Sequence, residues 1–488
     1  MFQAEAKWEM SVSQAINQQG GKMASIRKSV ALGVVVFSVL CGLSDVADAK
    51  AKTEGKPNII YIMADDLGYG DLSCFGQKKF QTPNLDRMAA EGMKFTQHYS
   101  GSTVCAPSRC CLMTGMHSGH AFIRGNREVQ PEGQYPIPQD TPTLAKLLKG
   151  AGYRTGMFGK WGLGAPGSSG DPMKQGFDEF FGYNCQRHAH SYYVKYLWHN
   201  TDKVPLHPTT YAHDVIVQRA MQFIKDSKGG PFFCYMPVTI PHASMHVPEE
   251  SAKPFRAKFP EFEDKVGRYA GPTVRNPIAC FAGMVTRLDS QIGEMFELLD
   301  ELGIDDNTLV IFTSDNGPHR EGGHEPTFFN SNGPLRGIKR DLYEGGIRVP
   351  TIARWPGHIK AGEVNHHISA FWDVLPTCAE LAGVKTPQGI DGLSFLPTLL
   401  GNDNEQKQHE YLYWEFATRG SSQAVRLGDW KAVRVNLQKN PHAPIELYNL
   451  KDDIGEENNV AAGHPEVVAK MKAIFEKARV KSDIFKLF

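Results

Sequence analysis

The chain carries no surplus of charge: 53 Lys+Arg and 53 Asp+Glu cancel to a formal net charge of zero. That balance excludes a polybasic nucleic-acid binder and an acidic disordered tail. No internal repeat or low-complexity tract interrupts the chain, so a repeat array is excluded as well. The nine cysteines are scattered, without a C-x-x-C pair and without zinc-ligand spacing. No hydrophobic run reaches bilayer-spanning length; the longest apolar stretch, Val30 to Leu43, is too short. The remaining composition is ordinary. Hydrophobic residues at 41% and charged residues at 22% describe a globular chain, and 488 residues suffice for one large and one smaller domain, or two to three ordinary ones. The 48 Gly and 30 Pro suit many strand-to-helix turns and long loops.

The N-terminus reads as an export signal. Arg27 and Lys28 precede the apolar run, and Ala47-Asp48-Ala49 comes after it as an A-x-A cleavage site. Residues 1–49 are therefore set apart as an N-terminal extension and signal peptide, with Met23 the more natural start. Cleavage near Ala49 predicts a periplasmic or extracellular protein with no stable membrane insertion afterwards. Cysteines of an exported chain can pair, though spacing alone does not say which.

From Pro57 onward, β-rich apolar runs alternate with helical patterns, which predicts a large, mostly parallel sheet sandwiched by helices. The strand candidates are Asn58 to Met63, Tyr153 to Phe158, Phe232 to Met236 and Leu309 to Thr313. A long amphipathic helix is expected where Ile278, Phe281, Ala282, Val285, Leu288, Ile292, Met295, Phe296 and Leu299 recur at three- and four-residue steps. The large domain is placed at 57–385. After that the texture changes to short antiparallel strands near 411–416, 424–427 and 430–435, closed by a helix over 465–479. This predicts a smaller α+β C-terminal subdomain, 386–488.

The residues just past each strand carry the chemistry. Asp65-Asp66 come after the first, Lys160 after the second, Pro241-His242 after the third and Asp315-Asn316 after the last. Open α/β sheets bind ligands beyond the carboxyl ends of their strands, so these groups are expected to converge on one edge. Adjacent carboxylates at strand ends also serve as helix caps or solvated loop residues. Two such pairs of hard oxygen donors favour Ca²⁺ or Mg²⁺. Cys105-Ala106-Pro107-Ser108-Arg109 would start a helix, with Pro107 in its first turn and Cys105 at the N-terminus, where the dipole favours negative charge. A lone cysteine is most often a small buried hydrophobe. As a thiolate among hard oxygen ligands it would be a chemical mismatch. Oxidation to an aldehyde, whose hydrate offers two oxygens, removes the mismatch.

The run C-A-P-S-R from Cys105, continued by Leu112, Thr114 and Gly115, resembles the signature of type I sulfatases, in which the cysteine becomes Cα-formylglycine. Ala64-Asp65-Asp66-Leu67-Gly68, Gly159-Lys160-Trp161, Ser314-Asp315-Asn316-Gly317 and Leu335 to Gly346 extend the resemblance over most of the chain. It implies the alkaline-phosphatase-like α/β fold and hydrolysis of sulfate monoesters, with sulfated carbohydrates as the preferred class. It also implies a Ca²⁺ held by Asp65, Asp66, Asp315 and Asn316 with modified Cys105, and a formylglycine-generating enzyme as a partner. In the implied cycle one hydroxyl of the hydrate attacks sulfur and the other later expels sulfate. Arg109 would orient the hydrate and the metal ligands, Lys160 and Lys339 would neutralise sulfate oxygens, and His242 would protonate the leaving alcohol, with His246 as its competitor.

One position departs from the pattern. Many relatives read G-K-W-H-L-G, whereas this chain has Gly162 where that histidine contacts the hydrate. His117, His120, His188 and His190 are available to substitute. His188 and His190 are expected to reach the sulfate pocket, or else to lie on an exposed loop. Arg124 and Asn126 contact substrate hydroxyls or anchor a loop. Two other functions fit the fold: a phosphatase or phosphodiesterase, which usually has Ser or Thr as nucleophile and two zincs, and a non-catalytic binder of sulfated glycans.

Overall fold

The computed structural model describes residues 55–488, and the expected signal segment, 1–49, lies outside them. The first expected strand runs Asn58–Ala64 and is buried along its whole length. Side chains alternate across a strand, so Ile59, Tyr61 and Met63 enter one hydrophobic cluster while Ile60, Ile62 and Ala64 enter another. A strand apolar on both faces needs helices on both faces, and it has them.

This strand lies inside a ten-stranded sheet. The spatial order is Glu363–Asn365, Met93–Phe95, Thr351–Arg354, Thr308–Ser314, Asn58–Ala64, Phe232–Pro237, Arg154–Lys160, Glu179–Tyr183, Tyr196–His199 and Asp202–Pro205. The five strands from Thr308–Ser314 through Glu179–Tyr183 are mutually parallel. Antiparallel pairs flank them on both sides. The four strands expected from sequence all belong to that parallel centre, where continuous apolar runs are required. The flanking strands are shorter and, apart from the buried Thr351–Arg354, partly exposed, and their patterns are correspondingly weak.

The long helix runs Pro277–Glu301, with Pro277 at its first position and the Asn276 side chain accepting from the Ala279 N–H. Such a cap contributes about 1 kcal/mol. Its apolar stripe packs on the Ile60–Ile62 face of the sheet. The helices Cys105–Thr114, Leu144–Gly150 and Val374–Leu381 cover the opposite face.

A separate antiparallel sheet comes next, built from Leu412–Phe416, Ser422–Leu427, Trp430–Val435 and Glu446–Asn449 in that order. Tyr413, Val425, Ala432 and Leu447 pack against Val467, Met471, Ile474 and Phe475 of the closing helix Pro465–Lys477. Trp414, Ala424 and Val433 point the other way, into the core of the large sheet. A buried ion pair crosses the same seam: Lys431 Nζ donates to Glu344 Oε1 at 2.7 Å. Glu456 Oε2 accepts from the Glu344 N–H at 2.7 Å. The small sheet therefore grips the segment that carries Lys339.

Candidate active site

Parallel strands share a direction, so their carboxyl ends form one edge. Asp65 and Asp66 come directly after Ala64, Asp315 and Asn316 after Ser314, and Lys160 ends its own strand. The Asp66 N–H donates to Asp315 Oδ1 at 3.1 Å, and Asn316 Nδ2 donates to Asp66 Oδ1 at 2.7 Å. All four oxygen-bearing side chains are fully buried.

The helix Cys105–Thr114 begins at Cys105 and is buried throughout. Asn126 Oδ1 accepts from the Ala106 N–H at 3.1 Å, satisfying one of the donors that a helix start leaves open. The Cys105 thiol donates towards Asp65 Oδ1 at 3.5 Å, and Lys160 Nζ donates to Cys105 Sγ at 3.2 Å. Lys160 also donates to Asp65 Oδ2 at 2.6 Å, and Lys339 to Asp66 Oδ2 at 2.6 Å. Arg109 binds the Lys160 carbonyl at 2.5 Å, Asp315 Oδ2 at 2.8 Å and Asp65 Oδ2 at 3.3 Å. It thereby ties the helix to three strand ends.

Three carboxylates and three cations thus face one another without water-exposed surface. Burial would raise the Asp65 carboxyl, but Lys160, Arg109 and Lys339 outweigh it and hold it at about 2. Burial and the Asp65 charge together push Asp315 up to about 7. Burial and Asp65 also push the Cys105 thiol up to about 12. Lys160 and Lys339 pull the thiol the other way, but burial and the carboxylate neighbour outweigh both lysines and keep it protonated.

His242 closes the cluster, its Nε2 3.3 Å from Asp66 Oδ2. Its Nδ1 donates to the Ala243 carbonyl, and Tyr192 OH donates to the His242 carbonyl at 2.6 Å. Burial, with Lys339 and Lys160, drives the ring well towards its neutral form. His190 stacks on it, centroids 4.9 Å apart and planes within 2°. His319, which belongs to none of the motifs, also stacks on the His242 ring, at 5.6 Å. Its position three residues beyond Asn316 was the available signal.

Residues 57–384 match the family described as Sulfatase, and residues 338–481 match N-sulphoglucosamine sulphohydrolase, C-terminal. The chain belongs to the sulfatase family. N-acetylgalactosamine-6-sulfatase of Rattus norvegicus is 35% identical over 407 residues, 77% of this chain and 71% of that protein. Arylsulfatase A of Homo sapiens is 32% identical over 476 residues, 86% of this chain and 87% of that one. The solved structure of Ps i-CgsB in complex with k-i-k-neocarrahexaose matches with a TM-score of 0.74 at 32% identity, covering 86% of this chain and 92% of that chain. The fold is alkaline-phosphatase-like, and the protein is a sulfuric ester hydrolase.

Two of the sulfatase's candidate binding residues, Arg124 and His188, stand apart from the buried cluster. Arg124 is buried outside the cluster and spends its guanidinium on Glu415 at 2.9 Å, the Val480 carbonyl at 2.8 Å and the Ala121 carbonyl at 2.8 Å. Of the two roles open to it, the structure gives it the anchoring one. His188 turns to Glu132, 3.3 Å away, and packs on Tyr196 rather than joining His190. His117 lines a cavity with Asp391, Trp372 and Tyr411, His120 pairs with Asp391 at 2.8 Å, and His246 bonds the Pro272 carbonyl. None of these four rings touches Cys105. The described cysteines are all free.

Proposed function

We propose that this sulfatase cleaves sulfate esters of carbohydrates with Cys105 converted to formylglycine and one Ca²⁺ held by Asp65, Asp66, Asp315 and Asn316. The observation that carries the proposal is Cys105 itself: a side chain at a helix start, pressed against an all-oxygen donor set. That set suits a hard cation. Asn316 Oδ1 is buried with no hydrogen-bond partner among the described residues, as befits a ligand oxygen. When present, the hydrated aldehyde supplies the nucleophilic oxygen and the cation polarises the sulfate group.

The chain's own residues do the rest. Lys160 and Lys339 flank the carboxylates and supply the charge that stabilises sulfate oxygens. Arg109 fixes the spacing between helix and strand ends. His242 handles the proton of the leaving alcohol. Its neutral Nε2 is an acceptor, so it would first take the proton that the attacking hydroxyl gives up and then pass it to the leaving oxygen.

Sugar sulfates are favoured over simple aryl sulfates by the relatives' substrates and by a cavity of about 630 Å³ beside Lys339. Arg320, Arg340 and Arg419 line it. Arg340 pairs with Glu321, whereas Arg320 and Arg419 have no acidic partner among the described residues. Unpaired arginines next to the site suit a ligand carrying further anionic groups. A phosphatase reading has less support: His242 and His319 do stand beside Asp66, but position 105 holds a cysteine where a phosphatase of this fold usually has Ser or Thr. Turnover of an aryl sulfate against its matching phosphate separates them, and preference for the phosphate sinks the proposal. Export with cleavage near Ala49 completes the reading; no described helix is long and apolar enough to cross a membrane. N-terminal sequencing of the active enzyme tests the cleavage.

A further inference from the structure

We propose that Gln186 takes the place of the histidine that Gly162 lacks, binding with its side-chain amide the reacting oxygens at position 105 or on the sulfate. The inference rests on Cys105 being the reacting residue.

Two neighbouring parallel strands bring these residues together. Lys160 pairs in register with Tyr183, and the pairing continues past the sheet edge, with Trp161 N–H donating to the Tyr183 carbonyl at 2.9 Å and Gly162 N–H to the Asn184 carbonyl at 3.2 Å. The first strand therefore delivers Lys160 and then Gly162, while the second delivers Gln186. Gly162 has φ +86°, and a Cβ placed on it would lie 2.1 Å from Gln186 Nε2 and 3.2 Å from Gln186 Oε1. No side chain can occupy position 162 while Gln186 is there. The Gln186 amide fills the space where any side chain at position 162 would begin, two residues beyond the lysine that touches Cys105 Sγ.

The amide is also unsatisfied. Gln186 is 3% exposed, and neither Nε2 nor Oε1 has a hydrogen-bond partner among the described residues. Burying both ends of a carboxamide unpaired is costly. A packing role would be served better by leucine. A carboxamide, like a neutral imidazole, presents one donor face and one acceptor, so it can reproduce the histidine's hydrogen bonds. Unlike imidazole it does not titrate near neutral pH. It orients the reacting oxygens and moves no proton, which leaves proton transfer to His242.

The test is Gln186→Leu, which keeps the volume and removes both polar ends, with Gln186→Asn as a shorter amide. Cys105 modification is first verified in each variant by mass spectrometry. For Gln186→Leu we expect an unchanged or raised Tm, kcat lower by about 10- to 100-fold with little change in KM, and inorganic sulfate bound about 10-fold more weakly by calorimetry. Asn should fall between the two. Gln186→Leu with kcat and sulfate affinity both within about twofold of the parent overturns the inference, and so does a fall in Tm that accounts for the lost activity. Full turnover by Cys105→Ala, run in parallel, would instead defeat the underlying reading of position 105.

Discussion

Lys160 Nζ lies 3.2 Å from Cys105 Sγ, held there by a 2.6 Å bond to Asp65 Oδ2. One ammonium thus bridges the side chain expected to react and a carboxylate expected to hold the metal. A change at any of the three alters the other two.

Cys105→Ala should fold and lose turnover by several orders of magnitude. Cys105→Ser should also be severely impaired, since a hydroxyl permits attack but no second hydroxyl remains to expel sulfate. Peptide mass spectrometry on protein from its own host should find the aldehyde. An unmodified thiol in fully active enzyme would falsify the scheme.

Asp315→Ala removes one ligand and the partner of Arg109, whose bond to it is 2.8 Å. Calcium content should drop from about one ion per chain, and activity with it. Chelation of the parent enzyme should do the same reversibly, with recovery on adding Ca²⁺. Recovery with Zn²⁺ alone would speak against the oxygen-only site.

His242→Ala should show its role through the leaving group. Loss should be modest for a nitrophenyl sulfate, whose alcohol leaves without help, and about 10²- to 10⁴-fold for a sugar sulfate. Equal losses on both would point to a positioning role through Asp66 instead.

Arg124→Ala should damage stability and spare catalysis. The residue is 3% exposed and its partner Glu415 is fully buried, and Glu415 also binds Arg479 at 2.8 Å. Removing one member of a buried pair costs about 3 kcal/mol, less here because Arg479 remains. Tm should fall while kcat per folded molecule stays near the parent value.

His409 offers a pH test away from the metal site. Burial opposes its charging, but Asp373, 2.8 Å from its Nε2, wins and raises its pKa above the ordinary histidine value. A raised pKa means the contribution to stability is full below about pH 6.5 and is lost as pH climbs through the folded-state value. Tm of the parent should therefore decline over that interval, and His409→Gln should flatten the decline. Identical pH slopes for both proteins would remove His409 from the explanation.

Much of this protein was legible along the chain because its signals are local. The parallel strands are continuous apolar runs, Pro107 marks a helix start, and the residues just past each strand name the donors at the sheet edge. Direction then does the assembling: parallel strands must place Asp65, Lys160 and Asp315 on one side. Tertiary structure alone decided the rest, since contacts between distant side chains carry no local pattern. Arg124 meets Glu415 across 291 positions, a pairing no motif encodes. His190 reaches His242 while His188, two residues away, turns to Glu132, because a short turn of helix over His188–His190 points the rings apart. The neutral Cys105 thiol results from complete burial beside Asp65, and the collision between Gly162 and Gln186 from two strands leaving the sheet side by side. Sequence named the chemical groups, and the packing of the chain around them determined which could touch.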